Sequence, residues 1–191
     1  MKQVTMLLAA AISCILGSCD NPQYSLVGDW EIAPDSKLAE EHIILFFRKE
    51  NGTYYPATLS YSLSPSGLLS IEKGRDHAVC CFGGIDKHFA DLRQKTQLSK
   101  EKQFLIRRML ARLRPRVLSS DVPFALPQGC SFTFDSRSWN SVGFSRGKAA
   151  GAFIFQPDCE GLGADKAKHL LRSVVAALPP VEGSMAFLEG H

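Results

Sequence analysis

Residues 55–63 read Tyr-Pro-Ala-Thr-Leu-Ser-Tyr-Ser-Leu, and apolar side chains alternate with polar ones along most of this stretch. A period of two is typical of a strand with one buried and one solvated face. The stretch therefore predicts a half-buried β-strand with its odd-numbered residues in the core. Pro56 has no N–H to donate to a ladder, so we expect that end of the strand to lie at a sheet edge or beside a bulge.

Further strands surround this one in the sequence. Glu50-Asn51-Gly52 favours a hairpin turn, because Asn-Gly accepts positive φ at low cost, and Ser64-Pro65-Ser66-Gly67 favours the next turn. The predicted strands of this half are 26–33, 42–48, 54–63, 68–72 and 78–82, with a helical turn at 37–41. Together they predict an antiparallel meander.

The pattern changes after Gly83-Gly84, where two helices are predicted. Residues 86–97 form the first and residues 99–113 the second, for which Ser99 is a suitable N-cap. Pro115 ends the second helix. Its predicted core side consists of Leu105, Ile106, Met109, Leu110 and Leu113.

Strands return in the last third of the chain. Residues 131–134, 140–145 and 149–155 are predicted strands, and Arg146-Gly147 joins the last two as a hairpin. A final helix is predicted over 164–178. This order of elements predicts an α+β fold with a mainly antiparallel sheet, made of a β-meander, a helical insert, a further β-hairpin and a C-terminal helix.

The first nineteen residues form an export signal. Lys2 precedes an apolar run over residues 4–16, which is shorter than the about 20 residues that a membrane-spanning helix needs. The run closes on Leu16-Gly17-Ser18-Cys19, which resembles the lipobox of bacterial lipoproteins. That resemblance implies cleavage after Ser18, a diacylglycerol on the Cys19 thiol and an acylated new N-terminus. The alternative is an ordinary signal peptide that contains a cysteine.

The signal sets the expected organisation and location of the chain. We expect a signal peptide over 1–18, the acylated cysteine and a short tether over 19–25, one α+β domain over 26–180 and a flexible tail over 181–191. The resemblance implies a protein held to a membrane of the bacterial envelope through Cys19, facing the periplasm. Asp20 resembles the signal that retains enterobacterial lipoproteins at the inner membrane. With 45% apolar and 21% charged residues, the chain has the composition of a globular protein.

Four cysteines follow the signal, namely Cys80, Cys81, Cys130 and Cys159. An exported chain meets an oxidising compartment, so an even number favours disulfides. A bridge between the neighbours Cys80 and Cys81 needs a strained ring, so we expect Cys80 to pair with Cys130 or Cys159 and Cys81 with the other. Zinc binding by His77, Cys80 and Cys81 is a weaker alternative, because neighbouring cysteines are too close for the usual ligand spacing. No metal site and no cofactor are expected.

Positive charge is concentrated in the predicted helical insert. Residues 86–116 contain ten Lys or Arg against three Asp or Glu, whereas the whole chain contains 22 against 19. A solvated outer helix face explains such a cluster, as does contact with anionic lipid or with an acidic partner protein. The candidate binding surface consists of Arg107, Arg108, Arg112 and Arg114.

Gly143-Phe144-Ser145-Arg146-Gly147 matches the Gly-x-Ser-x-Gly pattern of a nucleophile elbow. Asp158 or Asp165 and then His169 follow in the order of an α/β-hydrolase triad. Such a serine needs a sharp turn between a strand and a helix, but residues 149–155 favour a second strand. We therefore expect a hairpin here and assign no catalytic residue.

Gly28-Asp29-Trp30 resembles the Gly-x-Trp that opens lipocalin-like barrels, although the predicted helices interrupt the strands that such a barrel needs. We expect a non-catalytic binding module of the envelope, either of the inhibitor or immunity type or an accessory protein, with an envelope protein of acidic surface as partner. A lipocalin-like carrier of a lipid or small apolar ligand is the alternative, and a serine hydrolase that uses Ser145 is the third. Nucleic acid is not an expected partner.

Overall fold

The computed structural model describes residues 25–26, 36–50, 55–78, 85–122, 124–131 and 138–189, and within them the predicted α+β class is confirmed. Eight strands form one sheet in the order β1-β6-β8-β7-β2-β3-β4-β5. The strands are β1 (Ser25–Leu26), β2 (His42–Lys49), β3 (Ala57–Leu63), β4 (Leu68–Ala78), β5 (Ile85–Gln97), β6 (Phe124–Leu126), β7 (Trp139–Arg146) and β8 (Ala149–Phe155). All pairs are antiparallel except β1 with β6 and β6 with β8.

The meander of β2, β3, β4 and β5 contains the strand that the alternating pattern predicts. Strand β3 begins at Ala57, directly after Pro56, whose carbonyl accepts a hydrogen bond of 3.0 Å from the Asp76 amide. Leu59, Tyr61 and Leu63 are buried on one face. The predicted alternation is therefore confirmed over residues 59–63, whereas Tyr55, also predicted in the core, is 41% exposed, and Thr58, predicted on the solvated face, is buried.

Strand β2 is central because it pairs with both halves of the chain. Leu45 lies opposite Tyr61 of β3 on one side and opposite Val142 of β7 on the other. Strands β7 and β8 form the predicted hairpin, in which Gly147 has a φ of +60°. The sheet ends at β1 on one side and at β5 on the other.

The predicted helix over 86–97 is wrong, because these residues form strand β5. This strand lies at the end of the sheet, and most of its side chains are exposed on both faces. Because none of residues 88–97 is buried, this part of the strand shows no apolar period of two. Ala78 ends β4, and the rest of the strand predicted over 78–82 lies outside the described residues.

Two helices pack on one face of the sheet, namely α1 (Lys100–Leu110) and α2 (Leu162–Ala177). A short 3-10 turn over Ala111–Leu113 extends α1, and another over Ser36–Glu40 precedes β2. The core contains Ile43, Leu45 and Phe47 from β2, Phe144, Phe153 and Phe155 from β7 and β8, Ile106 and Leu110 from α1, and Leu171 and Val174 from α2. The helical insert and the C-terminal helix thus cover the apolar face of the meander and of the hairpin.

The predicted flexible tail is packed as far as residue 188. Val181, Phe187 and Leu188 are buried in the core, and a 3-10 turn spans Ser184–Leu188. The Lys49 ammonium donates a hydrogen bond of 2.8 Å to the Ala186 carbonyl. The domain therefore extends beyond the predicted boundary at residue 180. The signal, Cys19, Gly28-Trp30 and most of the strands predicted over 26–33 and 131–134 lie outside the described residues.

Candidate binding surface

Helix α1 begins where the sequence predicts. Ser99 is extended and its hydroxyl accepts a hydrogen bond of 3.3 Å from the Lys102 amide, which satisfies one free N–H of the first turn. A hydrogen bond from its own backbone amide lowers the pKa of the Glu101 carboxyl, and a hydrogen bond with the Ser99 side chain lowers it further. The cap thus fixes where the helix begins, and Ile106 and Leu110 are buried against the sheet.

Arg107 belongs to the inward side of α1. Its guanidinium donates to the carbonyls of Leu38 at 2.6 Å, Glu41 at 2.7 Å and Ser64 at 2.7 Å. Burial lowers the pKa of Arg107, and the charge of Glu41 acts in the opposite direction. This arginine joins the helix to the start of β2 and to the turn after β3, so the prediction that it lies on a binding surface is wrong.

Arg114 is also held inside the molecule. Its Nη2 lies 2.7 Å and its Nε 2.9 Å from the two carboxylate oxygens of Glu41, and Glu41 is fully buried. Such a two-point contact is the strong geometry for an arginine and a carboxylate. Arg114 is therefore a second residue of the predicted binding surface that the structure removes from it. Sequence reasoning missed Glu41, although a carboxylate beside an apolar strand is a usable signal.

The outward side of α1 and its 3-10 extension carries Phe104, Leu105, Arg108 and Arg112, a set that we call the α1 face. The Phe104 side chain is 67% exposed and that of Leu105 is 48% exposed. Arg108 and Arg112 are exposed as well. Leu105 was expected in the core, but its position on the helix places it beside Arg108 rather than beside Ile106 and Leu110. Two of the four predicted surface arginines thus remain on a surface that also contains two large apolar side chains.

The charge around the α1 face is mainly positive. Lys100, Glu101 and Lys102 in the first turn are all exposed. Together with Arg108 and Arg112 they make four cations against one carboxylate, a net charge of 4 − 1 = +3. A surface that combines exposed apolar side chains with one sign of charge is typical of an interaction site.

Ser145 lies in strand β7, opposite His42 of β2 and Ala150 of β8. Its neighbour Phe144 is in the core, so the alternation of the strand places Ser145 on the sheet face away from the helices. His169, Asp158 and Asp165 are exposed on or near α2, which packs on the opposite face. The structure does not bring together the residues that follow the order of a hydrolase triad, and the Gly-x-Ser-x-Gly stretch is the predicted hairpin.

A carboxylate and histidine cluster connects β4 with β5. His88 Nε2 lies 2.7 Å from Glu72, and its Nδ1 lies 2.7 Å from the buried Asp76. Arg93 donates to the other Glu72 oxygen at 3.1 Å. Because both ring nitrogens already contact carboxylates, the cluster ties the edge strand to the sheet rather than presenting a free base. Sequence reasoning missed this cluster, because residues 86–97 were expected in a helix.

Cys130 and Cys159 form a disulfide, 29 residues apart. The expected pairing of Cys80 with one of them and of Cys81 with the other is therefore wrong, although a disulfide itself is confirmed. Cys80 and Cys81 lie outside the described residues. Within the part of the chain that the structure describes, no cluster of His, Cys, Asp and Glu could hold a metal ion.

These features define an α+β domain with an open, mainly antiparallel sheet, two helices on one face and an exposed basic and apolar surface on the first helix. The sequence matches no protein-family model and has no significant similarity to a curated protein. Among the described residues, no helix is long and apolar enough to span a bilayer.

Proposed function

We propose that this protein is a lipoprotein of the bacterial cell envelope that acts as a non-catalytic binding module through its α1 face. The exposure of Phe104 and Leu105 beside two arginines carries the proposal. A helix that only covers a core has no need of large apolar side chains on its outer side. The surface is therefore best explained by a partner that covers it.

Two further observations support the envelope location. Leu16-Gly17-Ser18-Cys19 resembles a lipobox, which implies an acylated anchor at Cys19. The Cys130–Cys159 disulfide suits the oxidising compartment that an exported chain reaches. Among binding roles we favour an inhibitor, an immunity protein or an accessory subunit. Such roles suit a domain that has a single continuous hydrophobic core and is stabilised by a disulfide.

The anchor is tested by metabolic labelling with radioactive palmitate in a bacterial host that exports the full chain. We expect the protein to incorporate label and to sediment with membranes, and the Cys19→Ser variant to lose the label. Cys14→Ser is the matched control, since Cys14 lies inside the apolar run and should not be acylated. Equal labelling of the native chain and the Cys19→Ser variant would exclude acylation of Cys19.

The binding surface is tested by photo-crosslinking in the same cells. We expect a benzophenone amino acid in place of Phe104 to give a discrete adduct with one class of molecule, which mass spectrometry then identifies. The control position is Leu162 at the start of α2, which is 72% exposed and lies outside the α1 face. If position 104 gives no more adduct than position 162, the α1 face is not the binding surface.

A further inference from the structure

The arrangement of side chains on the α1 face indicates what covers it. Positions 104, 105, 108 and 112 recur at helical spacing, so the two apolar side chains and the two arginines project in one direction. Ile106 and Leu110 occupy the opposite, buried side. A helix with apolar side chains on its solvent side and cations around them is typical of helices that lie in the plane of a membrane surface.

The charges on and beside the α1 face favour a partner with an anionic surface. Four cations, Lys100, Lys102, Arg108 and Arg112, surround Phe104 and Leu105, and Glu101 is the single exposed carboxylate among residues 100–112. Long basic side chains can also keep their charged ends at lipid headgroups while their aliphatic stems cover apolar surface. The face therefore complements anionic headgroups above an apolar interior.

The shape of the face favours a membrane over a protein. The α1 face lies on the outward side of a single helix, and its most exposed side chain, Phe104, projects into solvent. A partner protein would have to supply a groove for this helix, whereas a bilayer accepts apolar side chains wherever they reach its surface. We propose that the α1 face docks the domain onto a membrane surface rich in anionic lipid. This inference rests on the proposed function, in which the α1 face is a binding surface and Cys19 holds the chain at a membrane.

Because Cys19 holds the chain at the membrane, a weak contact by the α1 face is sufficient for docking. A tethered domain meets the surface at a high effective concentration, so a few side chains can shift it from free to docked. Docking would fix the orientation of the domain on the membrane. The β5 edge, whose side chains over residues 88–97 are mostly exposed, would then remain accessible from the envelope.

The test places a fluorescent reporter on the face of the full chain. Phe104→Trp is reconstituted into vesicles of brominated phosphatidylcholine, with and without phosphatidylglycerol, and emission is compared with that of the unsubstituted chain. A docked side chain lies about 5–10 Å into the boundary between headgroups and acyl chains, within reach of the bromine quencher. We expect the added indole to be quenched when phosphatidylglycerol is present and to be less quenched at high salt.

Three further proteins serve as controls. Leu162→Trp places the same reporter on exposed α2 and should stay unquenched. Phe104→Trp with Arg108→Glu and Arg112→Glu should lose the quenching, because each Lys or Arg near such a surface adds to binding and the ratio of docked to free domain should fall on the order of tenfold or more. The same reversal at Lys166 and Arg172, which are exposed on α2, should leave the quenching unchanged.

The outcomes separate this inference from the proposed function. An unquenched indole at position 104 overturns membrane docking. If the crosslinker at position 104 then captures an acidic protein, the binding module stands with a protein as partner. If neither experiment distinguishes position 104 from position 162, both proposals fail. Quenching that is equal with and without phosphatidylglycerol also overturns the anionic surface.

Discussion

Two neighbouring arginines of α1 have opposite surroundings. Arg107 donates three hydrogen bonds to backbone carbonyls and is buried, whereas Arg108 is exposed. Composition cannot separate them, because both belong to one basic run. Helical spacing does separate them, since Arg107 lies three residues before the buried Leu110 and therefore on the same side of the helix.

Replacing these two residues should have very different effects on stability. Arg107→Ala leaves three backbone carbonyls without their donor and removes a cation from beside the buried Glu41, so we expect the free energy of unfolding to fall by about 3 kcal/mol. Arg108→Ala should change it by less than about 0.5 kcal/mol. Urea denaturation followed by circular dichroism measures both. Equal losses would show that Arg107 does not hold the helix to the sheet.

His42 should make the domain sensitive to acid. Burial lowers the pKa of His42 from its ordinary value of 6.5, and the positive charge of Arg107 lowers it further. The folded state therefore favours the neutral ring, whose Nε2 lies 2.6 Å from the Ser62 hydroxyl. The unfolded chain takes up a proton at higher pH than the folded one, so stability should fall as the pH drops below about 6.5.

The measurement is the urea midpoint between pH 7 and pH 5, for the native chain and for His42→Gln. We expect the variant to lose less stability over this range, because its side chain does not titrate. The matched control is His169→Gln, which changes an exposed histidine of α2. Parallel pH profiles for the native chain and His42→Gln would contradict the assignment.

At the scale of elements, the sequence predicted most of the strands that have a buried face, but it missed the short buried strand β6. Strands β2 and β3 follow from a period of two and both helices from a period of 3.6, whereas β7 and β8, which are buried on both faces over much of their length, were predicted as a hairpin around Arg146-Gly147. Residues 88–97 of strand β5 include no buried side chain, and the Asp, Lys, Ala, Leu, Arg and Gln residues of the strand are compatible with a helix. Only its pairing with β4 makes it a strand, and no local pattern records that pairing. The sequence predicted the arginines of the α1 face from the concentration of positive charge. It did not predict the exposure of Phe104 and Leu105, because that exposure depends on the rotation of the helix against the sheet.

The pairing of β4 with β5 depends on Gly74. The register shifts between Lys73 and Gly74, and a Cβ added at Gly74 would lie 2.1 Å from the backbone carbonyl oxygen of Phe89. We therefore expect Gly74→Ala to lower the free energy of unfolding by about 2 kcal/mol or more. Thermal unfolding of this variant and of Ser70→Ala, a half-buried change on the same strand, provides the comparison.

The sign of the stability change in Gly74→Ala decides between two descriptions of the β4–β5 pair. Where the backbone has room, Gly→Ala stabilises a protein by about 0.4–1 kcal/mol, because it restricts the unfolded chain. A more stable Gly74→Ala variant would therefore show that β4 and β5 do not approach as closely as described. Ser70→Ala should stay within about 0.5 kcal/mol of the native chain.

At the scale of the molecule, the Cys130–Cys159 disulfide links two segments of the second half of the chain. The Cys130–Cys159 bridge connects the turn after β6 with the segment before α2. The two regions also touch directly, since a Cβ added at Gly163 would lie 2.9 Å from the Gln128 amide nitrogen. The disulfide therefore reinforces a contact between the sheet and the C-terminal helix.

Removal of this bridge should lower stability. Closing a loop of 29 residues restricts the unfolded chain, so we expect the double variant Cys130→Ser with Cys159→Ser to lose about 3–4 kcal/mol. Guanidinium unfolding without reductant compares it with the native chain. A double variant as stable as the native chain would mean that the Gly163 contact alone holds this junction.

The central position of β2 has a consequence for how the chain reaches its native state. Its partner on one side, β3, follows at once, but its partner on the other side, β7, lies about 100 residues later. Non-local pairing of this kind slows folding. At a synthesis rate of about 5–20 residues per second, β7 is synthesised several seconds or more after β2, so the pair cannot form before then. A chain whose central strand is completed late stays unfolded for longer, and the proposed export would require an unfolded chain at the translocation channel.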